Sequence, residues 1–167
     1  SMAKGDISIV RRPYDSVPTM TFQTAASATA ILAGEPLKLS AAGAVDVIHL
    51  ATLDLTIGTD TQFVGIAATD STHTASAAGL VDVYMPLPGI VYEMAATTAA
   101  NVDTAAEILA LQNDRVVMTL AAGVFTLDED AGDGANNAFM IVGGNPTTGK
   151  LEFIVRSDAT YLSGESV

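Results

Sequence analysis

The chain contains no cysteine and no tryptophan among its 167 residues. Without cysteine it can form no disulfide, and it can supply neither a thiolate nucleophile nor a thiolate metal ligand. Aromatic residues make up only 5% of the chain, and alanine accounts for much of the hydrophobic content. We therefore expect a core built mainly from small and aliphatic side chains.

Basic residues are also scarce. The chain carries 7 of them against 19 acidic residues, which gives a formal net charge of -12. Such a chain repels phosphate backbones, so we do not expect it to bind nucleic acid. Residues 1–12 are the exception: they hold Lys4, Arg11 and Arg12 against Asp6, a net of +2 that leaves -14 for the rest.

Long apolar runs are missing as well. No stretch of about 20 apolar residues, the length of a membrane-spanning helix, occurs in the chain. The first residues lack the basic region, apolar stretch and small-residue cleavage site of a signal peptide. We therefore expect neither of these segments.

The stretch from Gln62 to Met94 organises the rest of the chain. Phe63 to Ile66 predicts a short buried strand, and the small polar residues 71–80 predict an exposed loop before a half-buried strand with alternating apolar residues. A glycine inside the first strand, Gly65, indicates a bulge or a close approach of backbone.

A corner follows at Pro86-Leu87-Pro88-Gly89, because proline has no N–H for a central ladder and glycine can adopt a positive φ. The strand pattern resumes at Ile90. The corner is either a structural turn or a docking surface, since rigid prolines lose little entropy on binding.

Residues 1–20 are predicted to form an N-terminal arm. Its first part has strand character, and prolines then stop any regular element. One interpretation is a frayed or loosely docked terminus. The other is a segment that orders on a partner's strand edge, with two cations for acidic groups and a tyrosine as apolar anchor. The residues concerned are Ile7, Ile9, Val10, Arg11, Arg12, Pro13 and Tyr14.

The segments between the arm and the central stretch are predicted as strands. Residues 21–34 indicate an extended strand ending at Gly34. Residues 35–50 predict a β-hairpin around Ala41-Ala42-Gly43. Residues 51–61 indicate either a strand or a wide loop.

The last third predicts one helix and two hairpins. Thr104 and Glu107 form a capping-box pattern, so we expect a short helix over about 104–112 with Ile108, Leu109 and Leu111 on its buried side. One hairpin turns at Ala121-Ala122-Gly123, and the other turns between Gly143 and Lys150.

This pattern predicts an all-β protein: a β-barrel-like or β-tulip body of short strands and hairpins, one short helix and an extended N-terminal arm. We expect a single β-rich domain over residues 21–167. Its parts are residues 21–95 and a helix-plus-hairpins segment over 96–167.

No pattern of catalytic or metal-binding residues stands out. The acidic loop Asp128–Asn137 lacks the glycine and glutamate spacing of a calcium loop, which favours a solvated turn over a cation site. The two histidines, His49 and His73, do not make a ligand set. No nucleophile elbow or phosphate loop is present, because Gly143–Lys150 leads into a strand. We therefore expect no enzyme activity, no cofactor and no metal.

Three motifs in order resemble those of the capsid decoration proteins (head-stabilising or cement proteins) of tailed double-stranded DNA phages, the lambda-type family. They span roughly residues 21–95. The motifs are Glu35-Pro-Leu-Lys-Leu39 before a glycine turn, Phe63-Val-Gly-Ile-Ala-Ala68, and Val83-Tyr84 with Pro88-Gly89 and Tyr92-Glu93.

The resemblance implies a protein of the outer virion surface that binds the expanded shell of the major capsid protein and stabilises it against internal DNA pressure. It also implies a β-tulip or β-barrel fold, a homotrimer, and an arm that pairs with a β-edge of the coat protein. This chain continues for about 70 residues past Met94, which would complete a larger barrel, build a projecting face or change the oligomer.

Two other classes stay open. The chain could be another structural part of the virion, such as a tail-tube, fibre or head-fibre module. It could also be a β-rich module that binds carbohydrate or protein, although its few aromatic residues count against sugar binding.

Overall fold

A computed structural model describes residues 7–39, 46–49, 62–135 and 137–163. Within these ranges the protein is mostly β-structure with one α-helix, α1 (Ala105–Leu111), and a few short 3-10 turns. The prediction of an all-β body with a short helix is confirmed. The strands are β1 (Ser8–Arg11), β2 (Thr19–Thr24), β3 (Pro36–Leu39), β4 (Asp46–His49), β5 (Phe63–Ala67), β6 (Gly79–Tyr84), β7 (Val91–Ala95), β8 (Arg115–Ala121), β9 (Val124–Asp128), β10 (Phe139–Asn145) and β11 (Lys150–Val155).

Five strands close into a small barrel in the order β2-β4-β3-β5-β6, with β6 returning to β2. All pairs are antiparallel except β2 with β4, which is parallel. The antiparallel pairing of β3 with β4 confirms the two strands of the hairpin predicted over residues 35–50, and its predicted turn at Ala41-Ala42-Gly43 lies outside the described residues. The barrel core is aliphatic and contains Ile31, Leu37, Val64, Ala67, Val81 and Val83.

The other six strands form an antiparallel sheet in the order β1-β7-β11-β10-β8-β9. At the β9 end, the sheet curls back toward β7: Ala96 forms a parallel bridge with Leu127, and the Thr97 N–H donates to the Leu127 carbonyl at 2.9 Å. A larger core, which includes four aromatic rings that contact one another, lies against this sheet.

Strand β5 joins the two cores. Its pairing with β3 skips one residue between Gly65 and Phe63, so Val64 is the extra residue of a bulge. Gly65 has φ 140°, and a Cβ there would overlap the carbonyl oxygen of Tyr84. The two predictions for Gly65, a bulge and a close approach of backbone, are therefore both confirmed.

The predicted helix and hairpins are present. Thr104 accepts from the Glu107 N–H at 3.3 Å, and the Glu107 carboxylate accepts from the Thr104 N–H at 3.0 Å and from its hydroxyl at 2.8 Å. The Thr104 hydroxyl is the main cause of the lowered pKa of Glu107. Strands β8 and β9 turn through Ala122 and Gly123, both with positive φ, and β10 pairs with β11 around Gly149.

Two local predictions were wrong. The strand expected over residues 21–34 ends at Thr24, because the chain then leaves the ladder of β6 and continues as a loop to Glu35. In α1, Ile108 is buried and Leu111 packs against the core, but Leu109 is 69% exposed because it lies on the solvent side. The element predicted at residues 51–61 lies outside the described residues.

Candidate docking surface

The predicted arm is the outermost strand of the six-stranded sheet. Strand β1 pairs with β7 through Ser8–Glu93, Ile9–Tyr92 and Arg11–Val91, and an irregularity in the register leaves Val10 as the extra residue. Its other edge pairs with no strand of the described chain. A short edge strand with unpaired backbone groups is the structural feature onto which another chain can add a strand.

The arm is fixed to the body just before β1 and again at the end of the exposed loop that follows β1. Ile7 and Val17 are buried and belong to the larger core, although every residue from Val10 to Ser16 is exposed. The arm therefore offers a solvated strand and loop between two apolar anchors. Val10 and Tyr14 are the large hydrophobic side chains exposed in this segment, at 40% and 42%.

A row of charges crosses the sheet next to the arm. Glu93 and Glu152 lie directly opposite each other on β7 and β11. Like charges in that position repel, but each carboxylate has a cation: Arg11 Nη2 is 2.6 Å from Glu152 Oε2, and Lys150 Nζ is 3.8 Å from Glu93 Oε1. Arg12 has no ion pair within the described part of the chain and stays available to an acidic partner.

The arm and the proline corner, which are far apart in sequence, lie side by side. The Tyr14 hydroxyl donates to the Pro88 carbonyl at 3.3 Å. A Cβ on Gly89 would come within 2.9 Å of Pro13 Cγ, so the glycine permits this close packing. The structure thus combines the two candidate docking segments into one continuous surface.

Only part of the corner is accessible. Pro86 is buried and Leu87 packs partly against the larger core, whereas Pro88 and Gly89 are exposed. The corner also forms one wall of a groove of about 680 Å³ that ends against β11 and the turn after it. The other lining residues include Ile90, Tyr92, Ile154, Val155, Arg156, Asp158, Thr160 and Leu162.

Tyr92 is a buried polar residue of this groove. Its ring stacks on Phe153 with the centroids 5.5 Å apart, and the residue is 1% exposed. Burial raises the pKa of its hydroxyl far above the usual value, so the group stays protonated. The hydroxyl makes no hydrogen bond with any described residue.

The acidic loop is held by internal contacts. Arg115 forms a two-pronged ion pair with Asp133, with nitrogen–oxygen distances of 2.7 and 2.8 Å. The buried Glu129 carboxylate accepts from the N–H groups of Thr97 and Thr98 and from Asn101 Nδ2 at 2.9 to 3.1 Å. Over the described ranges, no cluster of three or more histidine, aspartate or glutamate side chains could hold a metal ion.

His73 does not meet a nucleophile in the contacts that the structure gives. His73 Nε2 donates to the Thr29 carbonyl at 2.9 Å, and His49 lies on β4 of the barrel. No helix in the described part of the chain is long and apolar enough to cross a bilayer.

Sequence reasoning missed the groove and polar residues that line it, such as Tyr92 and Arg156. Tyr92 lies in a predicted strand, where alternation indicates burial but cannot show whether a hydroxyl finds a partner. Sequence reasoning also did not predict that Ile7 and Val17 anchor the arm in the larger core, because their contacts are with residues far away in the chain.

A scan of the chain against protein-family models and searches of the curated proteins and of the solved structures find no match.

Proposed function

We propose that this protein is a non-enzymatic capsid decoration protein, which binds the outside of an expanded phage shell and stabilises it against internal DNA pressure. The observation that carries the proposal is the single surface formed by the arm and the corner. Within the part of the chain that the structure describes, it combines a strand edge without a partner strand, exposed apolar side chains and a cation without an ion pair, Arg12.

The rest of the molecule is consistent with a role in stabilising a shell. A cement protein adds interface area across joints between coat subunits, and an interface of standard size buries about 1,600 Å². The larger core and the closed barrel give a body that can be held rigidly against such a joint. The excess of positive charge near the arm, on an acidic body, favours docking by one face.

The motifs over residues 21–95 support the same class by resemblance alone. On this proposal the partner is the major capsid protein, the site of action is the outer virion surface, and the protein self-associates as a homotrimer. Multiple copies would strengthen a modest individual contact by avidity.

The test uses purified expanded shells that lack the protein. Wild-type protein should co-sediment with them and raise their disruption temperature. Deleting the arm is a poor variant, because it would remove Ile7 and Val17 from the core. The better variant is Val10→Asp with Arg12→Glu, which changes exposed side chains only.

The control for the valine change is Val124→Asp, a valine that is 52% exposed against 40% for Val10 and lies on the strand at the other end of the sheet order. The arm variant should lose shell binding by at least tenfold, and the control should keep it. Failure of the wild type to bind shells refutes the proposal. Immunogold electron microscopy that places the protein on the tail would favour a tail or fibre part instead. Light scattering of the free protein tests the trimer.

A further inference from the structure

A smaller concavity lies between the arm and the barrel, on the side of the arm away from the proline corner's groove. Its volume is about 400 Å³. Its walls come from the arm, from the loop before β3 and from strands β5 and β6. We call it the arm pocket; the residues that line it include Ile7, Ser8, Ile9, Arg12, Ile66 and Tyr84.

Arg12 gives the arm pocket its charge. It is the only charged residue among the described residues that line the pocket, and most of the others are apolar. Arg12 is exposed, and it has no ion pair within the described part of the chain. The pocket therefore presents one positive charge beside an apolar surface, with no acidic group in its described lining to neutralise it.

An arginine without a carboxylate is notable in so acidic a chain. The protein has 19 acidic residues and only 7 basic ones. Arg11, Arg115 and Arg156 each have a nitrogen 2.6 to 3.1 Å from a carboxylate oxygen. Since these arginines have internal partners, Arg12 is the arginine of the described chain that is left for an external one. A guanidinium binds a carboxylate through two parallel hydrogen bonds, so an acidic group complements it best.

The position of Arg12 is fixed before any partner binds. Ile7 and Val17 hold the arm in the larger core on both sides of it, and the Tyr14 hydroxyl donates to the Pro88 carbonyl just beyond it. Binding at Arg12 therefore has a smaller cost in lost chain freedom than binding at a free terminus.

The arm pocket is shallow. Ile7, Val17 and Ile66 are only 7%, 8% and 3% exposed, so they form a floor that is already mostly covered. Ile9 and Tyr84 are partly buried and still present surface at its rim. Such a pocket has room for one or two side chains of a partner rather than for a long segment.

We propose that the arm pocket binds an acidic segment of the major capsid protein. One carboxylate of that segment lies on the Arg12 guanidinium, and a neighbouring apolar side chain packs against Ile9 and Tyr84. This inference rests on the proposed function, which supplies the partner, and it adds the chemistry by which the coat is recognised. It also places the coat segment between the arm and the barrel, rather than only along the outer edge of β1.

The absence of cysteine allows a direct test, because one introduced cysteine can be labelled without background. Ser8→Cys, an exposed position of the arm pocket, carries a benzophenone maleimide. The control is Ser76→Cys, an exposed serine in the loop between β5 and β6 that does not line the pocket. Each labelled protein is added to purified expanded shells that lack the protein and is irradiated, and mass spectrometry identifies the attached peptide.

We expect the label at Ser8 to attach to a coat peptide that contains aspartate or glutamate, and the label at Ser76 not to attach to that peptide. Adding Arg12→Gln to Ser8→Cys should remove the attachment. A peptide without an acidic residue, attachment to a second copy of this chain, or attachment that survives Arg12→Gln would overturn the inference.

Co-sedimentation of the unlabelled variants gives a second readout. Arg12→Gln should weaken shell binding by about tenfold, the effect of one lost charged hydrogen-bonding group, and Arg12→Lys, which keeps the charge, should bind more tightly than Arg12→Gln. Lys38→Gln removes the same charge outside the pocket lining and should bind within about twofold of the wild type. If the wild type binds shells and Arg12→Gln binds equally well, the inference fails and the decoration function stands. If the wild type does not bind, the decoration function itself fails.

Discussion

Phe63 and Ile66 pack into the same hydrophobic core although they lie three residues apart on one strand. On a regular strand, such residues point to opposite faces. The extra residue at Val64 shifts the alternation, so that Val64 and Ala67 face the barrel core instead. One five-residue strand thereby serves two cores, and it connects the barrel to the six-stranded sheet.

This relationship depends on Gly65. Replacing Gly65 by alanine should lower the free energy of unfolding by about 3 kcal/mol or more, because the new Cβ meets both an unfavourable φ and the backbone of Tyr84. Urea unfolding followed by circular dichroism measures the change. Gly132→Ala is the control: φ is 70° there, but nothing lies within 4 Å of the added Cβ. It should cost only about 1 kcal/mol, and equal losses at the two positions would contradict the role of the close approach.

Several features of the fold could be predicted from short sequence patterns. Gly65 in an apolar run, the Thr104–Glu107 capping box and the glycine turns of the hairpins all act over a few residues, so the sequence displays them directly. The alternation of Val81, Val83 and Met85 likewise indicated a half-buried strand; Val81 and Val83 lie in the barrel core, whereas Met85 follows the end of β6 and is only partly buried.

Long-range pairings were not predictable in the same way. Nothing near Ser8 or Arg11 specifies β7 as their partner, more than 70 residues away. The groove arises where one ladder ends, and the end of a ladder depends on how two distant strands diverge. Leu109 was assigned to the core because alanine neighbours leave the buried side of a short helix ambiguous.

The buried carboxylate of Glu129 organises the segment after β7. It accepts hydrogen bonds from Thr97 N, Thr98 N and Asn101 Nδ2. Glu129→Ala should therefore destabilise the protein by about 2 kcal/mol, since it leaves the Thr98 N–H without this acceptor, although the Thr97 N–H keeps its bond to the Leu127 carbonyl and Asn101 Nδ2 keeps Asp130. Asp130→Ala, its exposed neighbour, should cost less than about 1 kcal/mol. Thermal and urea unfolding test the pair, and similar losses for both variants would count against this role.

The Arg115–Asp133 ion pair predicts a pH dependence at the acid end. Hydrogen bonds from Arg115 lower the pKa of Asp133 to about 2, compared with about 3.9 in an unfolded chain. A carboxyl with a lowered pKa stabilises the fold above its unfolded pKa, and this contribution is lost as the pH falls from about 4 to about 2. The stability difference between wild type and Asp133→Asn should shrink over that interval.

The cause of this shift can be tested separately. In Arg115→Gln, an NMR titration of the Asp133 carboxyl should give a pKa much closer to its ordinary value, because the charged donor is gone. An unchanged pKa in that variant would show that the guanidinium is not responsible.

Glu93 and Glu152 lie opposite each other, and Arg11 pairs with Glu152. We therefore expect removal of Arg11 to reduce stability more than removal of the Glu152 charge. Arg11→Met removes the cation and leaves Glu152 facing Glu93, so it should destabilise the protein by about 1 kcal/mol at low salt. Glu152→Gln removes both the ion pair and the repulsion, so its effect should stay within about 0.5 kcal/mol. Urea unfolding at low and high salt gives both values.

The double variant completes the test. With the Glu152 charge removed, Arg11→Met should add little, so the double variant should resemble Glu152→Gln alone and the two changes should be non-additive. The cost of Arg11→Met should also decrease in 1 M salt, where screening acts over about 3 Å. Hydrogen exchange of the β1 amides should increase most in Arg11→Met, because the arm is the element that the ion pair holds. Additive losses that are independent of salt would mean that Arg11 contributes by packing its side chain rather than by its charge.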